Sequence, residues 1–369
     1  MKIAFAHCRL LPWGAQKVLE QLINNISYKQ AQIFTLISEE KKLTINNKTI
    51  KITTVIPRPI NNLILRISNK NIRWLRTLFD YRNLIIFAPF RAWIMSKQIK
   101  KYNPDKVFIS SFARSKNIDT ANTPTTLYLH SPMQYIWTHY EEYCQKLTSR
   151  RWRIFRNITP ILRKRDKKPR TYNKVISNSY YTKEQAKKIY NIDSNVRYPE
   201  IHETIITKAS SPEYQNYFIY TWRLVSFVKE VDKIIQACNQ TQTPIIIMGD
   251  WPDKEKLQSI AGNSIIFMSW IQDIHQRIQL IQWSKWLINI TKESFGISTM
   301  EALLLGVPVL WYDDGATPEL MDNNSGILIP DKNITTICSA LQKRDSQNFN
   351  RKKIQIHARE MYNKTKENI

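Results

Sequence analysis

Two glutamates, Glu293 and Glu301, are separated by seven residues in a segment whose predicted structure would hold an anion. Residues 286–290 are mostly apolar and predict a buried strand. A helix is predicted to start near Phe295 and to end before Gly306. The first amides and the positive dipole end of a helix bind phosphate when they lie at the carboxyl end of a strand. The sequence therefore predicts an anion site with Glu293 at its mouth and Glu301 about two turns along the helix.

Two cations follow the predicted strand at residues 217–221. Arg223 comes directly after this strand, and Lys229 follows in the next loop. A departing diphosphate needs fixed positive charge where negative charge develops, which two such cations would supply. Solvated charge at a strand end is the alternative, and the neighbouring glutamate segment favours the functional interpretation.

The elements that must position these residues alternate between strands and helices. The predicted strands are 2–6, 32–36, 51–55, 106–110, 125–129, 174–177, 217–221, 244–248, 264–267, 286–290, 307–311 and 326–329. The other predicted helices are 15–25, 83–100, 134–146, 182–190, 231–239, 254–260 and 273–283. Repeated βα units predict an α/β protein with two doubly wound, Rossmann-like domains. We place these domains at residues 1–200 and 201–347, followed by a terminal helix at 348–369.

Charge is distributed unevenly between the two predicted domains. Residues 1–200 hold 37 Lys and Arg against 12 Asp and Glu, whereas residues 201–369 hold 18 of each, so the net charge of +25 lies entirely in the first part. Six of the seven glycines lie in the second part. Two domains built so differently are expected to do different jobs.

The four cysteines are scattered and form no C-x-x-C pair, which excludes a disulfide framework and a thiolate metal site. The first residues predict a short strand broken by His7 and Arg9, so no signal peptide is expected. No apolar run reaches the length of a membrane span. These features predict a cytoplasmic protein.

The segment from Glu293 to Pro308, ESFGISTMEALLLGVP, resembles the E-x7-E signature of glycosyltransferase family 4. That family is retaining and has the GT-B fold, in which two Rossmann-like domains face a central cleft and the terminal helix often crosses back onto the first domain. The resemblance implies that Glu293 lies by the donor sugar and that Glu301 binds the nucleotide ribose. Residues 218–229 resemble the GR-L…K pattern of the family, which implies that Arg223 and Lys229 stabilise the diphosphate.

Further donor-binding residues follow from the same resemblance. Amides near Phe295, Gly296 and Ile297 would approach the diphosphate. Trp270 lies where the family's loops pack near the nucleotide base, with a core tryptophan as the alternative. The loop ending in Gly14 resembles the family's GGAE turn, which approaches the donor or the acceptor.

Residues 128–137, YLHSPMQYIW, resemble the HTPMRYxWD box of a mannosyltransferase subset of the family. The resemblance implies that His130 faces the donor sugar and that Tyr135 and Trp137 lie toward the acceptor. It also favours GDP-mannose as the donor. A structural histidine after a strand is the alternative interpretation.

Two segments, 71–101 and 150–170, combine basic and aromatic residues. Residues 150–170 carry ten Lys and Arg against Asp166 alone, and they include Trp152 and Arg153. Such helices bind anionic membrane surfaces, where a polyprenyl-linked or other lipid-linked glycan acceptor would be found. A solvated basic face is the alternative. Nucleic acid is a third, unfavoured possibility, because the sequence contains no helix-turn-helix, zinc-finger or RNP pattern.

The sequence thus predicts a retaining glycosyltransferase of cell-surface polysaccharide synthesis at the inner face of the plasma membrane, with a nucleotide-sugar substrate, no cofactor and no metal. Two alternatives stay open. One is a GT-B sugar-nucleotide epimerase. The other is a non-catalytic protein on a transferase scaffold that associates with membrane or nucleic acid. Four residues would favour it, because they replace the family's usual glycines (Trp13, Trp222 and Trp251) and its usual glutamate (Gln16).

Overall fold

The computed structural model describes the chain except residues 11–13, 46, 70–87, 113–114, 147–148, 212, 222–228, 250–252, 344–348 and 366–369. The described chain divides into two compact units. Unit 1 comprises Met1–Tyr140, Leu147–Asn178 and Thr182–Val196, and unit 2 comprises Glu141–Lys146, Ser179–Tyr181 and Arg197–Ile369. The change from unit 1 to unit 2 after Val196 lies four residues before the predicted domain boundary at residue 200.

Unit 1 is built on a sheet that, in the described residues, has the strand order β3-β4-β2-β1-β5-β6-β7-β8. All neighbours pair in parallel except β3 and β4, which form an antiparallel hairpin. The strands are β1 Lys2–His7, β2 Gln30–Thr35, β3 Lys42–Ile45, β4 Lys48–Thr54, β5 Lys106–Ser111, β6 Thr125–Leu129, β7 Lys174–Ser177 and β8 Asn195–Val196. The described helices up to residue 196 are α1 Gly14–Asn24, α2 Arg58–Asn69, α3 Ala88–Tyr102, α4 Tyr140–Lys146, α5 Ser149–Asp166 and α6 Tyr180–Tyr190.

The central strand β1 shows why this sheet is covered on both faces. Successive side chains of a strand point to opposite faces. Ile3 and Phe5 pack into one buried cluster, while Ala4 and Ala6 pack into another. Five of the six β1 residues are buried, as expected for a parallel sheet with helices on both sides.

The predicted helix at 134–146 is wrong in its first half. The structure has a single 3₁₀ turn at Gln134–Ile136, followed by α4 from Tyr140. Trp137 breaks the turn, with φ −124° and ψ −85°. Met133 and Ile136 are fully buried against Leu162, so packing determines the path of this segment. The predicted helix at 83–100 overlaps α3, and its first residues lie outside the described part of the chain.

Unit 2 contains a second sheet, which is parallel throughout and has the strand order β11-β10-β9-β12-β13-β14 in the described residues. The strands are β9 Phe218–Tyr220, β10 Ile245–Met248, β11 Ile265–Met268, β12 Trp286–Asn289, β13 Val309–Tyr312 and β14 Gly326–Ile329. The described helices after residue 196 are α7 Glu203–Thr207, α8 Val231–Thr241, α9 Lys254–Gln258, α10 Ile274–Trp283, α11 Ile297–Leu304, α12 Thr317–Leu320, α13 Ile334–Gln342 and α14 Arg351–Lys364. This strand order is that of a doubly wound Rossmann fold, which confirms the predicted fold class.

The terminal helix α14 is grouped with unit 2, and its expected return to the first domain stays a prediction. Its inner face carries buried polar side chains that hold the carbonyl ends of neighbouring elements. Arg351 donates to the carbonyl oxygen of Gln282 over 2.7 Å, and Gln355 donates to that of Leu304 over 2.6 Å. Because these carbonyl groups lie at the ends of α10 and α11, α14 caps two helices of its own unit.

Candidate functional site at the switch point of the second sheet

The chain order of the second sheet reverses between β9 and β12. From β9 the chain proceeds outward to β10 and β11, and it then returns to β12 on the other side of β9. Helices that leave two such neighbouring strands lie on opposite faces of the sheet, so a crevice opens at the carboxyl ends of the strands. Lys229 follows β9 and Glu293 follows β12, so the topology itself directs both residues to this crevice.

The main chain fixes the position of Glu293. Its backbone forms an isolated parallel bridge with Gly315, and the amide of Ala316 donates to the carbonyl oxygen of Glu293 over 2.8 Å. Gly315 has φ +69°, and a Cβ atom at this position would collide with the Glu293 backbone. Glycine is therefore required here for the close approach as well as for the left-handed conformation.

The side chain of Glu293 forms an ion pair with Lys229. Both side chains are largely buried, with 17% and 12% exposed. The Oγ1 atom of Thr291 lies 3.1 Å from Oε1 of Glu293 and 2.9 Å from Oδ1 of Asn289. A hydroxyl has a single hydrogen, so Thr291 donates to one of these oxygens at a time. The structure thus brings together two residues that the sequence predicted for one site.

The start of α11 is attached to both strands of the switch point. Asn289 donates to the Thr299 hydroxyl over 2.8 Å, and Ser298 donates to the carbonyl oxygen of Thr221 over 3.0 Å. Gly296 precedes the helix with φ +92° and ψ +63°. Ile297 is the first helical residue, so its amide belongs to the first turn, where amides have no partner within the helix.

Phe295 does not present its side chain to the crevice. It is 3% exposed, and its ring centroid lies 4.8 Å from that of Tyr198. Its predicted contribution to a donor site is therefore limited to its backbone, while its ring belongs to the core.

Glu301 is buried on α11 and lies beside a cation that the sequence analysis missed. Arg277 of α10 has Nη2 3.8 Å from Oε1 of Glu301, and its guanidinium carbon lies 5.2 Å from the ring centroid of Trp270. Arg277 and Glu301 are only 5% and 7% exposed. The predicted residues Trp270 and Glu301 are therefore connected through Arg277. The sequence signal that could have identified Arg277 was its position as a charged residue on the mostly buried side of α10.

His130 belongs to a buried polar row in unit 1. The register of parallel strands sets His7 opposite Ser110, and the His130 amide donates to the carbonyl oxygen of Ser111 over 2.8 Å. Ser110 Oγ lies 3.0 Å from Nδ1 of His7 and 2.8 Å from Nε2 of His130. Burial lowers the pKa of His7 to about 4 and that of His130 to about 3, and the neighbouring His7 also lowers the latter. Both rings are therefore neutral at pH 7.

The hydrogen-bonding partners favour one arrangement of protons in this row. Nε2 of His7 is buried and has no hydrogen-bond partner among the described residues. A buried N–H group without a partner is costlier than an unpaired acceptor, so Nε2 is expected to be unprotonated and Nδ1 to carry the hydrogen. His7 then donates to Ser110, and Ser110 donates to Nε2 of His130. His130 consequently carries its own hydrogen on Nδ1 and is a neutral hydrogen-bond donor.

The residues predicted on the acceptor side have mixed surroundings. Trp137 donates its indole N–H to the buried Asp166 over 2.8 Å, and Tyr135 packs against the cluster around Met133. Both contacts are structural, although neither residue is fully buried. Arg153 is exposed on α5. The side chain of Trp152 lies outside the described part of the structure.

Two other predicted residues complete the comparison with the sequence analysis. Gly14 is the first residue of α1, the helix that follows β1 in the first βα unit. Arg223 lies outside the described residues, so its predicted role stays a prediction. No group of three or more His, Cys, Asp or Glu residues with the geometry to hold a metal occurs in the described part of the chain. None of the described helices is long and apolar enough to cross a membrane.

One protein-family model matches the part of the chain that carries the crevice. The family described as "Glycosyl transferases group 1" matches residues 202–361. No curated protein matches the sequence.

Solved structures resemble the whole chain. Anabaena Alr3699/HepE in complex with UDP and glucose has a TM-score of 0.62 at 15% identity, covering 100% of this chain and 95% of that one. Sucrose-phosphate synthase from Thermosynechococcus elongatus has a TM-score of 0.65 at 13% identity, with 99% and 94% covered. WaaG, a glycosyltransferase involved in lipopolysaccharide biosynthesis, has a TM-score of 0.63 at 16% identity, with 98% and 95% covered. These likenesses show the GT-B fold, as predicted.

Proposed function

We propose that this protein is a retaining glycosyltransferase that moves a sugar from a nucleotide-sugar donor to a glycan or lipid-linked glycan. The observation that carries the proposal is the ion pair of Lys229 and Glu293 at the switch point of a domain that matches a glycosyltransferase family. Transfer needs fixed positive charge for a departing diphosphate and an acceptor of hydrogen bonds for a sugar. The pair supplies one of each, already oriented by the main chain.

The proposed reaction needs no covalent bond to the enzyme. The bond between the anomeric carbon and the diphosphate oxygen breaks, and the acceptor hydroxyl oxygen bonds to the same face of the sugar. The acceptor's proton passes to the departing phosphate oxygen. Lys229, the predicted Arg223 and the amides at the start of α11 stabilise the diphosphate, while Glu293 holds sugar hydroxyl groups.

The remaining predicted residues have binding roles in this proposal. Glu301 accepts a hydrogen bond from the ribose. His130 donates from Nδ1 to a sugar hydroxyl, which is a role that a neutral ring performs without a change of charge. Neither role calls for a cofactor or a metal.

The donor's identity has two sources of support that differ. The resemblance around His130 favours GDP-mannose, whereas the similar HepE structures are described in complex with UDP and UDP-glucose. Both are nucleotide sugars, so the class of donor is the same in either case.

We further propose that the protein works at the inner, anionic face of the plasma membrane in cell-surface polysaccharide synthesis, where a polyprenyl-linked acceptor would be found. Helix α5 supports this proposal, because its exposed isoleucines Ile154 and Ile161 lie among basic residues. Phe90 and Trp93 of α3 are likewise 58% and 51% exposed, and Lys97 lies 3.8 Å from the ring centroid of Trp93. Basic residues attract anionic lipid headgroups, and exposed apolar side chains insert among them.

The experiment that tests the transferase proposal measures the products formed from UDP-glucose, GDP-mannose and ADP-glucose, each with and without polyprenyl-diphosphate-linked glycans. We expect one donor to release its nucleoside diphosphate and to leave the sugar on the acceptor with its anomeric configuration retained. Glu293→Gln should abolish transfer with nucleotide affinity nearly unchanged, whereas Glu255→Gln, at an exposed position in the same unit, should behave as wild type.

Two results would reject the proposal. A changed sugar on an intact nucleotide, without any acceptor, would identify an epimerase. A folded protein that binds none of the nucleotides and acts on none of the donors would favour a non-catalytic role.

A further inference from the structure

Arg277 has a buried guanidinium whose Nε finds no hydrogen-bond partner among the described residues. The residue is only 5% exposed. The ion pair with Glu301, at 3.8 Å, is longer than a hydrogen bond. Burying a charge in this way is costly unless the group finds both a counter-charge and hydrogen-bond acceptors.

The surroundings of Arg277 fit a flat, polar ligand. The indole of Trp270 is half-buried, so part of it faces solvent, and Arg277 lies over this ring. Glu301, on α11, lies next to Arg277 of α10. The three side chains form a row: Trp270 offers an aromatic surface, Arg277 a set of N–H donors, and Glu301 a carboxylate. An aromatic base stacks on such a ring, its carbonyl oxygens accept from N–H groups, and the ribose hydroxyls donate to a carboxylate.

We propose that Arg277 recognises the base of the donor nucleotide by donating hydrogen bonds to a base carbonyl group, so that the site prefers uracil or guanine to adenine. This inference rests on the proposed function, because it assigns the row to the same nucleotide sugar. A guanidinium has N–H donors and no acceptor. Uracil carries two carbonyl groups, and guanine presents a carbonyl oxygen beside a ring nitrogen acceptor. Adenine has an amino group in that place, which sets a donor against a donor.

Titration calorimetry with UDP, GDP and ADP tests the inference on the full-length protein. We expect wild type to bind UDP or GDP at least tenfold more tightly than ADP. Arg277→Lys keeps the positive charge beside Glu301 but loses the planar set of donors. In this variant the affinity for the preferred nucleotide should fall roughly 10- to 100-fold, the size expected for hydrogen bonds to a charged donor, while the affinity for ADP changes by less than about twofold. Gln279→Ala, at an exposed position on the same helix, is the matched control and should bind all three as wild type does.

Each other outcome overturns the inference in a distinct way. An equal loss for all three nucleotides in Arg277→Lys would show that Arg277 acts only on the ribose or through Glu301. Unchanged affinities would show that it binds no nucleotide. If the variant does not fold, the affinities of the wild-type protein test the inference by themselves. Base recognition is excluded if the wild-type protein binds ADP within twofold as tightly as it binds UDP and GDP. Binding of none of the three by folded wild-type protein would reject the proposed function itself.

Discussion

His7 and His130 share a single hydroxyl group, since Ser110 Oγ lies within hydrogen-bond distance of Nδ1 of the first and Nε2 of the second. The three residues come from the carboxyl ends of neighbouring strands or directly after them, at positions 7, 110 and 130. Because one hydroxyl carries one hydrogen, the proton positions of the two rings depend on each other. His130 therefore depends on a residue 123 positions earlier in the chain for its tautomer.

We expect the two histidines to make the protein less stable in acid. Their folded pKa values, about 4 and about 3, lie below the usual 6.5. The unfolded state therefore binds more protons than the folded state as the pH falls below 6.5, and the free energy of unfolding decreases from there down to about pH 3. His7→Asn keeps a donor near Ser110 and removes one titrating group, so unfolding in urea between pH 7 and 4 should show a weaker decrease. His275→Asn, at an exposed position, should show the decrease of wild type.

The tautomer of His130 is directly measurable. We expect its ¹⁵N chemical shifts to show a protonated Nδ1 at pH 7 in wild-type protein. Ser110→Ala removes the donor to Nε2, so the spectrum of His130 should shift toward a mixture of tautomers. A wild-type spectrum with the hydrogen on Nε2 would contradict the proposed arrangement of protons.

The pairing of Lys229 with Glu293 predicts a large effect of a single charge. Lys229→Ala should lower kcat about 100- to 1000-fold, since it removes a fixed positive charge from the site where the diphosphate departs. Lys233→Ala removes a lysine of the next helix that pairs with Glu230 instead, and it should leave kcat within about twofold of wild type. Steady-state kinetics with the identified donor measures both. Equal rates for the two variants would remove Lys229 from the site.

Replacing Asp166 should lower the stability of the protein through contacts that lie outside the switch point of the second sheet. This buried carboxylate accepts from Trp137 over 2.8 Å and from Tyr190 over 2.7 Å, and Lys116 Nζ lies 3.4 Å from its other oxygen. Asp166→Ala removes the carboxylate counter-charge of the buried Lys116, so the free energy of unfolding should fall by about 3–5 kcal/mol. Asp193→Ala breaks an exposed ion pair and should change it by less than about 1 kcal/mol. Chemical denaturation of both variants provides the comparison.

Membrane binding is tested with vesicles of neutral and of anionic lipid. We expect flotation only with anionic vesicles, weakening as salt is added. Replacing Lys164 and Arg165, both exposed on α5, by glutamate should reduce binding at least tenfold, because each basic residue contributes about 1 kcal/mol at such a surface. Lys352→Glu with Lys353→Glu, on the exposed face of α14, makes the same change of charge elsewhere. A similar loss in both pairs would indicate net charge rather than a defined surface.

The sequence predicted several strands well because strands depend on local pattern. Strands β6 and β7 have the predicted limits, and β6 is a continuous buried run. The helix predicted at 134–146 failed, because the burial of Met133 and Ile136 against Leu162 is a tertiary contact with no periodic signal. The strand predicted at 51–55 overlaps β4, whereas β3 was not predicted, so the hairpin that the two strands form was missed.

The candidate site shows the same division between local and tertiary information. Glu293 and Lys229 were found from motif and topology, because neighbouring strands of a parallel sheet end at one edge. The contacts of Arg277 and His7 were missed, since each is made with a residue far away in the chain. Only the assembled sheet brings such partners together.

The bridge between Glu293 and Gly315 makes this site a good subject for redesign. The backbone of residue 293 is held by hydrogen bonding rather than by its side chain, so exchanging the side chain should leave the main chain where it is. Glu293→Asp would then withdraw the carboxylate by one methylene length along a known direction. The effect of the carboxylate position on the choice of sugar can therefore be measured with the backbone of residue 293 unchanged.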